Sequence, residues 1–200
     1  MSNQKRFSQP LYSIAHFCSE ILVKCPKCEA QAKVNIKTLE NYNIKKSLIC
    51  KSCHFRAREG WFGKCQGFIT FHCGFCGSKI EHQTKPTKKI FDKTSFECPK
   101  CNVRKSYPLK WYRYDIFEEG FEPYFGLELW LKTSLKGKTL WAYNAQHLKY
   151  LKDFLGASLR EDDNRSKYSI VTNLPKWMKS AKNRDLVLKK LRSLEKRAKS

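Results

Sequence analysis

Eight of the ten cysteines in this 200-residue chain form four Cys-x-x-Cys doublets, a residue type and spacing suited to binding metal ions. The later two doublets repeat the earlier two at an offset of 48 residues, and 21 residues separate the doublets within each pair. A constant offset of this kind is typical of a duplicated structural unit. The predicted metal ligands are Cys25, Cys28, Cys50, Cys53, Cys73, Cys76, Cys98 and Cys101.

Two such doublets supply four thiolates, which is the ligand set of a structural Zn²⁺ site. Both sulfurs of a doublet can reach one ion at about 2.3 Å, and a hairpin returns the second doublet to complete a tetrahedron. The spacing therefore predicts two tandem zinc ribbons and two Zn²⁺ ions. Equal spacing within each pair favours sequential pairing, but Cys50 and Cys53 could instead join Cys73 and Cys76 across 19 residues, or the doublets could interleave.

Three other uses of cysteine fit the sequence less well. Disulfides form in oxidising compartments, and no apolar leader opens the chain. Redox Cys-x-x-Cys motifs accompany a βαβ pattern, and four motifs in phase do not suit that role. The stretch Cys50–His54 matches a haem-attachment string, but haem attachment requires export, and its cysteines already belong to the repeat. We therefore expect reduced cysteines and a cytoplasmic location.

The chain is strongly basic, with 40 lysines and arginines against 18 acidic residues and a formal charge of +22. Because Zn²⁺ with four thiolates carries −2, two such sites leave a net charge of about +18. A surplus of this size favours polyanionic partners, chiefly nucleic acid. No run of 18 apolar residues occurs, so the sequence predicts neither a membrane span nor a membrane partner.

The positive charge is unevenly distributed along the sequence. Residues 1–107 contain 20 basic and 7 acidic residues, and residues 175–200 contain 10 and 2, whereas residues 108–174 contain 10 and 9. These positions could serve only solubility, or they could contact phosphates. The predicted nucleic-acid contacts are Lys45, Lys46, Arg56, Arg58, Lys88, Lys89, Lys176, Lys179, Lys182 and Arg184.

The elements that position these residues follow from the hydrophobic pattern. We predict an α+β fold in which two small β ribbons precede a β-hairpin and a helical C-terminal module. The predicted segments are a lead-in at 1–20, ribbon one at 21–57, a linker at 58–67, ribbon two at 68–107 and the module at 108–200.

Local patterns define several elements within these segments. Apolar residues in 32–36 alternate with Lys33, Asn35 and Lys37, which predicts a half-buried strand with one basic face. A turn at 136–138 indicates a hairpin. Asn144 is a suitable N-cap for a helix that should reach Arg160. A last helix is expected from Asn183, with Val187, Leu191, Leu194 and Ala198 on its packing face.

Two strings in the C-terminal half resemble signatures of a known group. They are Leu140–Asn144 followed by His147 and Leu148, and Leu174–Arg184. The chain resembles uncharacterised bacterial tandem zinc-ribbon proteins of the transcription-factor-B type over most of its length, from about Ile21. The resemblance implies a DNA-associated role. This chain departs from the group in having Cys18 and Cys65, and in having Glu29 where a glycine follows the first doublet.

No catalytic constellation emerges from the sequence. The five histidines form no metalloprotease, nuclease or triad pattern. Acidic residues cluster at 118–122 and 161–163 and could bind Mg²⁺, but they lack a partner set. We therefore predict a non-catalytic, regulatory or accessory nucleic-acid-binding protein without a small-molecule substrate. The alternative is an adaptor whose ribbons dock a larger nucleic-acid enzyme or complex, and RNA binding is a third hypothesis.

Overall fold

The computed structural model describes residues 6–39, 43–114, 119–158 and 167–199. The fold is α+β, with small antiparallel sheets and a C-terminal helix, which confirms the predicted class. None of the helices in those ranges has the length and apolarity needed to cross a membrane.

Two compact units make up the fold. Unit 1 combines Met1–Glu59 with Leu127–Ser200, and unit 2 is Gly60–Gly126. Packing thus groups ribbon one with the C-terminal helices, two segments that lie far apart in the sequence. The predicted linker at 58–67 and the start of the predicted module, at 108–126, fall almost entirely within unit 2.

Ribbon one forms a single four-stranded antiparallel sheet in the order β1–β2–β3–β4. Its strands are β1 (Glu20–Lys24), β2 (Gln31–Thr38), β3 (Ile44–Cys50) and β4 (Arg56–Ala57). The apolar residues of β2 are buried and alternate with its polar ones, as the sequence pattern predicted. One face of the sheet therefore packs inward, and the other carries the basic residues of β2.

Ribbon two has its strands in two separate sheets, ordered β6–β5–β9 and β7–β8. The strands are β5 (Cys65–His72), β6 (Lys79–Gln83), β7 (Lys93–Glu97), β8 (Arg104–Pro108) and β9 (Lys110–Arg113). In ribbon one the two hairpins share a sheet, because β2 pairs with β3. In ribbon two β9 occupies the second edge of β5, and the hairpin β7–β8 stands by itself.

The C-terminal part of unit 1 is a hairpin followed by helices. It contains β10 (Leu131–Leu135), β11 (Lys138–Ala142), α1 (Ala145–Gly156), α2 (Lys176–Lys179) and α3 (Arg184–Lys199). The predicted turn joins β10 to β11, and both of its central residues, Lys136 and Gly137, have positive φ angles, of 50° and 73°. Such a pair is typical of a two-residue hairpin turn whose twist matches its strands.

The helices agree with the sequence except at one end. Asn144 caps α1, since its side chain accepts a hydrogen bond from the His147 N–H at 2.9 Å. The prediction that this helix reaches Arg160 is wrong, because α1 ends at Gly156 and Ala157 is extended. Arg160 itself lies outside the described residues. Along α3, three of the four predicted packing residues, Val187, Leu191 and Leu194, are buried.

Backbone hydrogen bonds tie ribbon one to the C-terminal part of unit 1. The Leu22 N–H donates to the Tyr143 carbonyl at 2.7 Å, and the Trp130 N–H donates to the Leu22 carbonyl at 2.9 Å. The side-chain amide of Asn144 donates to the carbonyls of Phe17 and Glu20 at 2.9 and 2.7 Å. The free edge of β1 is therefore held by residues more than 100 positions later in the chain.

The first of the two C-terminal strings is a packing motif. His147 is buried, its Nδ1 accepts the Tyr143 N–H at 3.1 Å, and its ring stacks on Phe17 at a centroid distance of 4.9 Å. Burial lowers the pKa of His147 to about 3, so this imidazole is neutral at physiological pH. These residues hold α1 against the lead-in and β1.

Candidate metal centres and basic surfaces

Each Cys-x-x-Cys doublet occupies the turn of a β-hairpin. The four hairpins are β1–β2, β3–β4, β5–β6 and β7–β8. A backbone hydrogen bond closes each turn, because the N–H of the first cysteine donates to the carbonyl five residues later, at 2.8 to 3.0 Å. The repeat seen in the sequence is thus a repeat of backbone geometry.

The residue after each second cysteine has a left-handed backbone. The φ angles are 59° at Glu29, 58° at His54, 68° at Gly77 and 54° at Asn102. Glycine adopts this region without strain, and asparagine tolerates it, whereas glutamate and histidine pay about 1 to 2 kcal/mol. Glu29, at the position where the zinc-ribbon resemblance predicts a glycine, therefore adopts the same conformation as Gly77. The hairpins and the sulfur geometry override this local preference.

The sulfurs form two separate clusters. Cys25, Cys28, Cys50 and Cys53 compose the first, and within each cluster all the sulfurs lie within 4.8 Å of one another. The second consists of Cys73, Cys76, Cys98 and Cys101. The structure therefore pairs the doublets sequentially and brings together all eight predicted ligands.

The distances within the clusters fit a tetrahedral metal ion. In the first cluster the Sγ atoms of Cys25 and Cys53 lie 3.6 Å apart, as do those of Cys28 and Cys50. The corresponding distances in the second cluster are 3.6 and 3.7 Å. A tetrahedron with 2.3 Å metal–sulfur bonds has edges of about 3.8 Å, whereas a disulfide bond is about 2.05 Å long. The clusters can each hold one ion, and a four-thiolate donor set suits Zn²⁺.

Hydrogen bonds at the second cluster favour some thiolates over others. The Ser78 hydroxyl, 3.3 Å from the Cys76 sulfur, and the Ser78 N–H lower the pKa of Cys76 to about 6. At Cys101 the Val103 N–H favours the thiolate, but burial and proton sharing with neighbouring sulfurs raise its pKa to about 12. Four thiolates at this separation repel one another, so a bound cation is needed to keep all of them ionised.

We expect metal analysis of the purified protein to find two zinc ions per chain. Cys98→Ser should reduce the content to one, because it removes a ligand from a single cluster. The double variant Cys18→Ser, Cys65→Ser is the matched control and should retain two ions. One ion in the unaltered chain, or an iron–sulfur absorption spectrum, would contradict the assignment.

The two cysteines outside the doublets lie apart from both clusters. The Cys18 thiol donates to the Ile14 carbonyl at 3.3 Å, and burial raises its pKa to about 11. Cys65 is buried in β5, where its backbone N–H and carbonyl both pair with Thr87. These contacts indicate that Cys18 and Cys65 contribute to packing.

Ribbon one places some of the predicted nucleic-acid contacts on one open face. Lys45 and Arg56 are exposed on the outward face of the sheet, while Lys46 lies on the opposite face with Leu48. Arg58 is exposed just beyond β4. Of the predicted residues in ribbon one, Lys45 and Arg56 therefore share a surface.

The remaining predicted contacts have mixed roles. Lys176 and Lys182 are exposed in unit 1. Lys179 is half-buried, and its ammonium donates to the Thr172 carbonyl at 3.0 Å. Arg184 is also half-buried, with its Nε enclosed. Lys179 and Arg184 thus contribute to packing. Lys88 and Lys89 are exposed on the loop of unit 2 that follows β6.

Other basic residues that are not among the predicted contacts above also lie on these surfaces; Lys37 is exposed, and Lys33 is half-buried. Lys33 and Lys37 lie on the same sheet face as Lys45 and Arg56, as the alternation in β2 indicated. A second group occupies the solvent side of α3, opposite its buried residues. We call this group the basic stripe of α3, and it consists of Lys189, Arg192, Lys196 and Lys199.

Charge is concentrated in one unit. Unit 1 contains 29 basic and 11 acidic residues, a formal charge of +18, whereas unit 2 contains 11 and 7, a formal charge of +4. With a Zn²⁺ ion bound to each cluster these values become about +16 and +2. Most of the electrostatic attraction for a polyanion therefore originates from unit 1.

In the acidic cluster at 118–122, Glu122 is not available as an Mg²⁺ ligand, and Glu119 is exposed. Glu122 is fully buried, and its carboxylate accepts hydrogen bonds from the N–H groups of Tyr124 and Phe125 at 2.7 and 2.9 Å. It thus shapes the local turn. Glu118 and residues 161–163 lie outside the described residues.

Comparison of the chain with protein-family models, curated proteins and solved structures found no match.

Proposed function

We propose that this is a zinc-dependent, non-catalytic nucleic-acid-binding protein with a regulatory or accessory role. The observation that carries the proposal is the concentration of positive charge on unit 1, where exposed basic residues lie on two regular elements. The resemblance to tandem zinc-ribbon proteins favours DNA over RNA. A reducing compartment such as the cytoplasm would keep the thiolates available for zinc.

The first element is the basic sheet face of ribbon one, formed by Lys33, Lys37, Lys45 and Arg56. Lys37 lies directly opposite Lys45 in the β2–β3 register, and like charges in that arrangement destabilise a sheet. Lys33 forms a 2.8 Å ion pair with Glu20, which leaves Lys37 and Lys45 as the close like-charged pair. A phosphate bound between their ammonium groups would relieve this repulsion.

The second element is the basic stripe of α3. Its four members are spaced by three, four and three residues, so their side chains emerge from one side of the helix. Val187, Leu191 and Leu194 on the opposite side anchor the helix in unit 1. A row of cations on a fixed helix suits the regular spacing of phosphates along a nucleic-acid strand.

Zinc would act structurally in this function. Four thiolates fill the coordination sphere of the ion, so neither cluster has an open position for a substrate or for a catalytic water. The first cluster closes the hairpins whose sheet carries Lys37, Lys45 and Arg56. Loss of that ion should therefore remove the basic sheet face together with the local fold.

The test is duplex DNA binding measured by fluorescence anisotropy across 50 to 200 mM salt. The triple variant Lys37→Gln, Lys45→Gln, Arg56→Gln should bind more weakly and flatten the dependence of log K on log salt by about 2.7, or 0.9 for each lost contact. The matched control is Lys136→Gln, Lys138→Gln, Lys149→Gln, which removes three exposed charges elsewhere in unit 1. We expect the control to change the slope by less than one contact.

Two results would contradict the proposal. Equal losses from both triple variants would show that net charge alone drives association. If the intact zinc-loaded protein bound no nucleic acid at 50 mM salt, the function would lie elsewhere. A parallel titration with duplex RNA tests the preference for DNA, because equal or tighter RNA binding would favour the RNA hypothesis.

The second candidate function is an adaptor that docks a larger nucleic-acid enzyme or complex. It is favoured by the exposed apolar side chains of unit 2, including Phe75, Ile90 and Phe91 at 66%, 58% and 42% exposure. Such residues are typical of protein contacts when they form a patch. Absence of nucleic-acid binding in the salt series would favour this function over the first.

A further inference from the structure

The three-stranded sheet of unit 2 has two very different faces. On the inner face of β5, Cys65, Gly67 and Ile69 are buried. A Cβ atom at Gly67 would lie 2.8 Å from the Leu109 side chain. The backbone of β5 therefore lies closer to Leu109 than a residue other than glycine would permit. The outer face is open, and it carries Phe68 and Thr70 on this strand.

Aromatic rings dominate the outer face. Phe68 of β5 and Tyr112 of β9 lie on neighbouring strands, with ring centroids 5.5 Å apart and planes inclined at 74°. Tyr112 is 58% exposed, and Tyr114, which follows β9, is 39% exposed. Exposed tyrosines two residues apart, at the end of β9 and just beyond it, offer ring faces to planar ligands.

Three shallow depressions adjoin one another on this face and share Phe68 and Thr70 in their lining. One is bordered by Lys110 and Tyr112, and a second by Tyr112 and Tyr114. A row of shallow sites, rather than one deep cavity, suits a chain of similar planar groups.

The charges beside the aromatic rings favour a negatively charged ligand on this face. Lys110 lies beside Phe68 in the β5–β9 register and is exposed. Neither β5 nor β9 contains an acidic residue. Glu81 on the edge strand β6 lies opposite Thr70 and borders the third depression, where it forms a 2.5 Å ion pair with Lys79. The aromatic rings thus have a cation beside them and no uncompensated carboxylate on their own strands.

We propose that this face, which we call the aromatic platform (Phe68, Lys110, Tyr112 and Tyr114), binds single-stranded nucleic acid. Unpaired bases stack on the rings, and Lys110 contacts the phosphate backbone, since stacking on aromatic side chains beside cations is how sequence-tolerant single-strand sites work. A duplex hides its base faces, so it cannot use this surface. The inference rests on the proposed nucleic-acid function. It adds single-strand binding by unit 2 to the duplex binding proposed for unit 1.

The experiment compares a labelled 15-nucleotide single strand, as oligo-dT and as oligo-U, with a labelled duplex, using the zinc-loaded full chain. Tyr112→Ala, Tyr114→Ala should weaken single-strand binding about ten- to a hundredfold, because each stacked base contributes substantially. Duplex binding should change less than about twofold. Tyr168→Ala, which removes a tyrosine that is 85% exposed in unit 1, is the control and should change neither.

Two further variants test the mechanism. Tyr112→Phe, Tyr114→Phe should bind single strands as the unaltered protein does, because stacking needs the ring and not the hydroxyl. Lys110→Gln should flatten the salt dependence for single strands by about 0.7. Retained zinc content of two ions in each variant confirms that unit 2 is folded.

The outcomes separate this inference from the proposed function. If the unaltered protein binds both probes but Tyr112→Ala, Tyr114→Ala leaves single-strand affinity unchanged, the platform is overturned and the proposed function stands. Failure of the phenylalanine variant to restore binding would likewise overturn stacking. If the unaltered protein binds neither probe, both fail together.

Discussion

We expect Cys50→Ser to unfold far more of the protein than Cys98→Ser does, although both cysteines are only 1% exposed and occupy equivalent positions in their clusters. Zinc ribbons are too small to fold by apolar burial alone, and metal binding contributes on the order of 10 kcal/mol of their folding free energy. Removing one ligand in four forfeits a large part of that contribution. The two variants should therefore differ in how much of the structure unfolds, because the two clusters stabilise regions of different size.

The first cluster supports the whole of unit 1. Its sheet exchanges hydrogen bonds with Trp130 and Tyr143 through Leu22, and Asn144 holds the carbonyls of Phe17 and Glu20. Melting this ribbon leaves these buried groups without partners and exposes the apolar surface beneath. The second cluster lies in unit 2, which is compact by itself.

Circular dichroism at 222 nm distinguishes the two cases, because all the helices in the described part of the chain belong to unit 1. Cys98→Ser should keep most of the helical signal and its thermal transition. Cys50→Ser should lose both, or lower the midpoint by more than about 10 °C. Equal behaviour of the two variants would show that the ribbons do not differ in this way.

Asn144→Ala should destabilise unit 1 by roughly 3 to 5 kcal/mol, which is exceptional for a single polar side chain. Loss of the N-cap contributes about 1 kcal/mol. The amide also donates to the buried carbonyl of Phe17 and the partly buried carbonyl of Glu20, and leaving these two without a partner costs about 1 to 2 kcal/mol each. One residue thus joins the lead-in, β1 and α1.

Denaturant unfolding of Asn144→Ala and Asn144→Ser separates the two contributions. Serine keeps an acceptor for the His147 N–H but lacks the amide donors, so it should recover only the capping part. Gln146→Ala, an exposed position two residues further along, is the control and should stay within about 0.5 kcal/mol. A loss of only about 1 kcal/mol for Asn144→Ala would show that the contacts to Phe17 and Glu20 contribute little.

The metal ligands could be predicted from the sequence because their arrangement depends on short-range cysteine spacing. Each doublet brings two sulfurs together within one turn, and the 48-residue repeat relates the two pairs. The alternation in β2, the N-cap at Asn144 and the packing face of α3 are equally local patterns. The structure confirms the first two, and it buries three of the four residues predicted for the third. The end of α1 is marked in the sequence by Gly156, a residue that favours helix termination, and the prediction of a helix to Arg160 extended past this signal.

Which residues share a surface could not be predicted from short stretches of sequence, because it depends on strand geometry, strand pairing and tertiary contacts. Lys45 and Lys46 are adjacent in sequence, but strand geometry turns them to opposite faces of the sheet. Lys179 belongs to the most basic segment, yet its ammonium is engaged by a backbone carbonyl. The aromatic platform combines β5 with β9, two strands whose pairing cannot be read from either of them alone.

By itself, the sequence determined the eight ligands, the two ribbons and the basic character of this protein, because these follow from residue types at fixed short spacings. Only the tertiary structure decided which parts belong together: ribbon one with the C-terminal helices in unit 1, and Phe68 with Tyr112 on one face in unit 2. The physical reason is that the free edge of β1 and the buried carbonyls beside it must find hydrogen-bond partners. Those partners lie more than 100 residues away, beyond the reach of any local pattern.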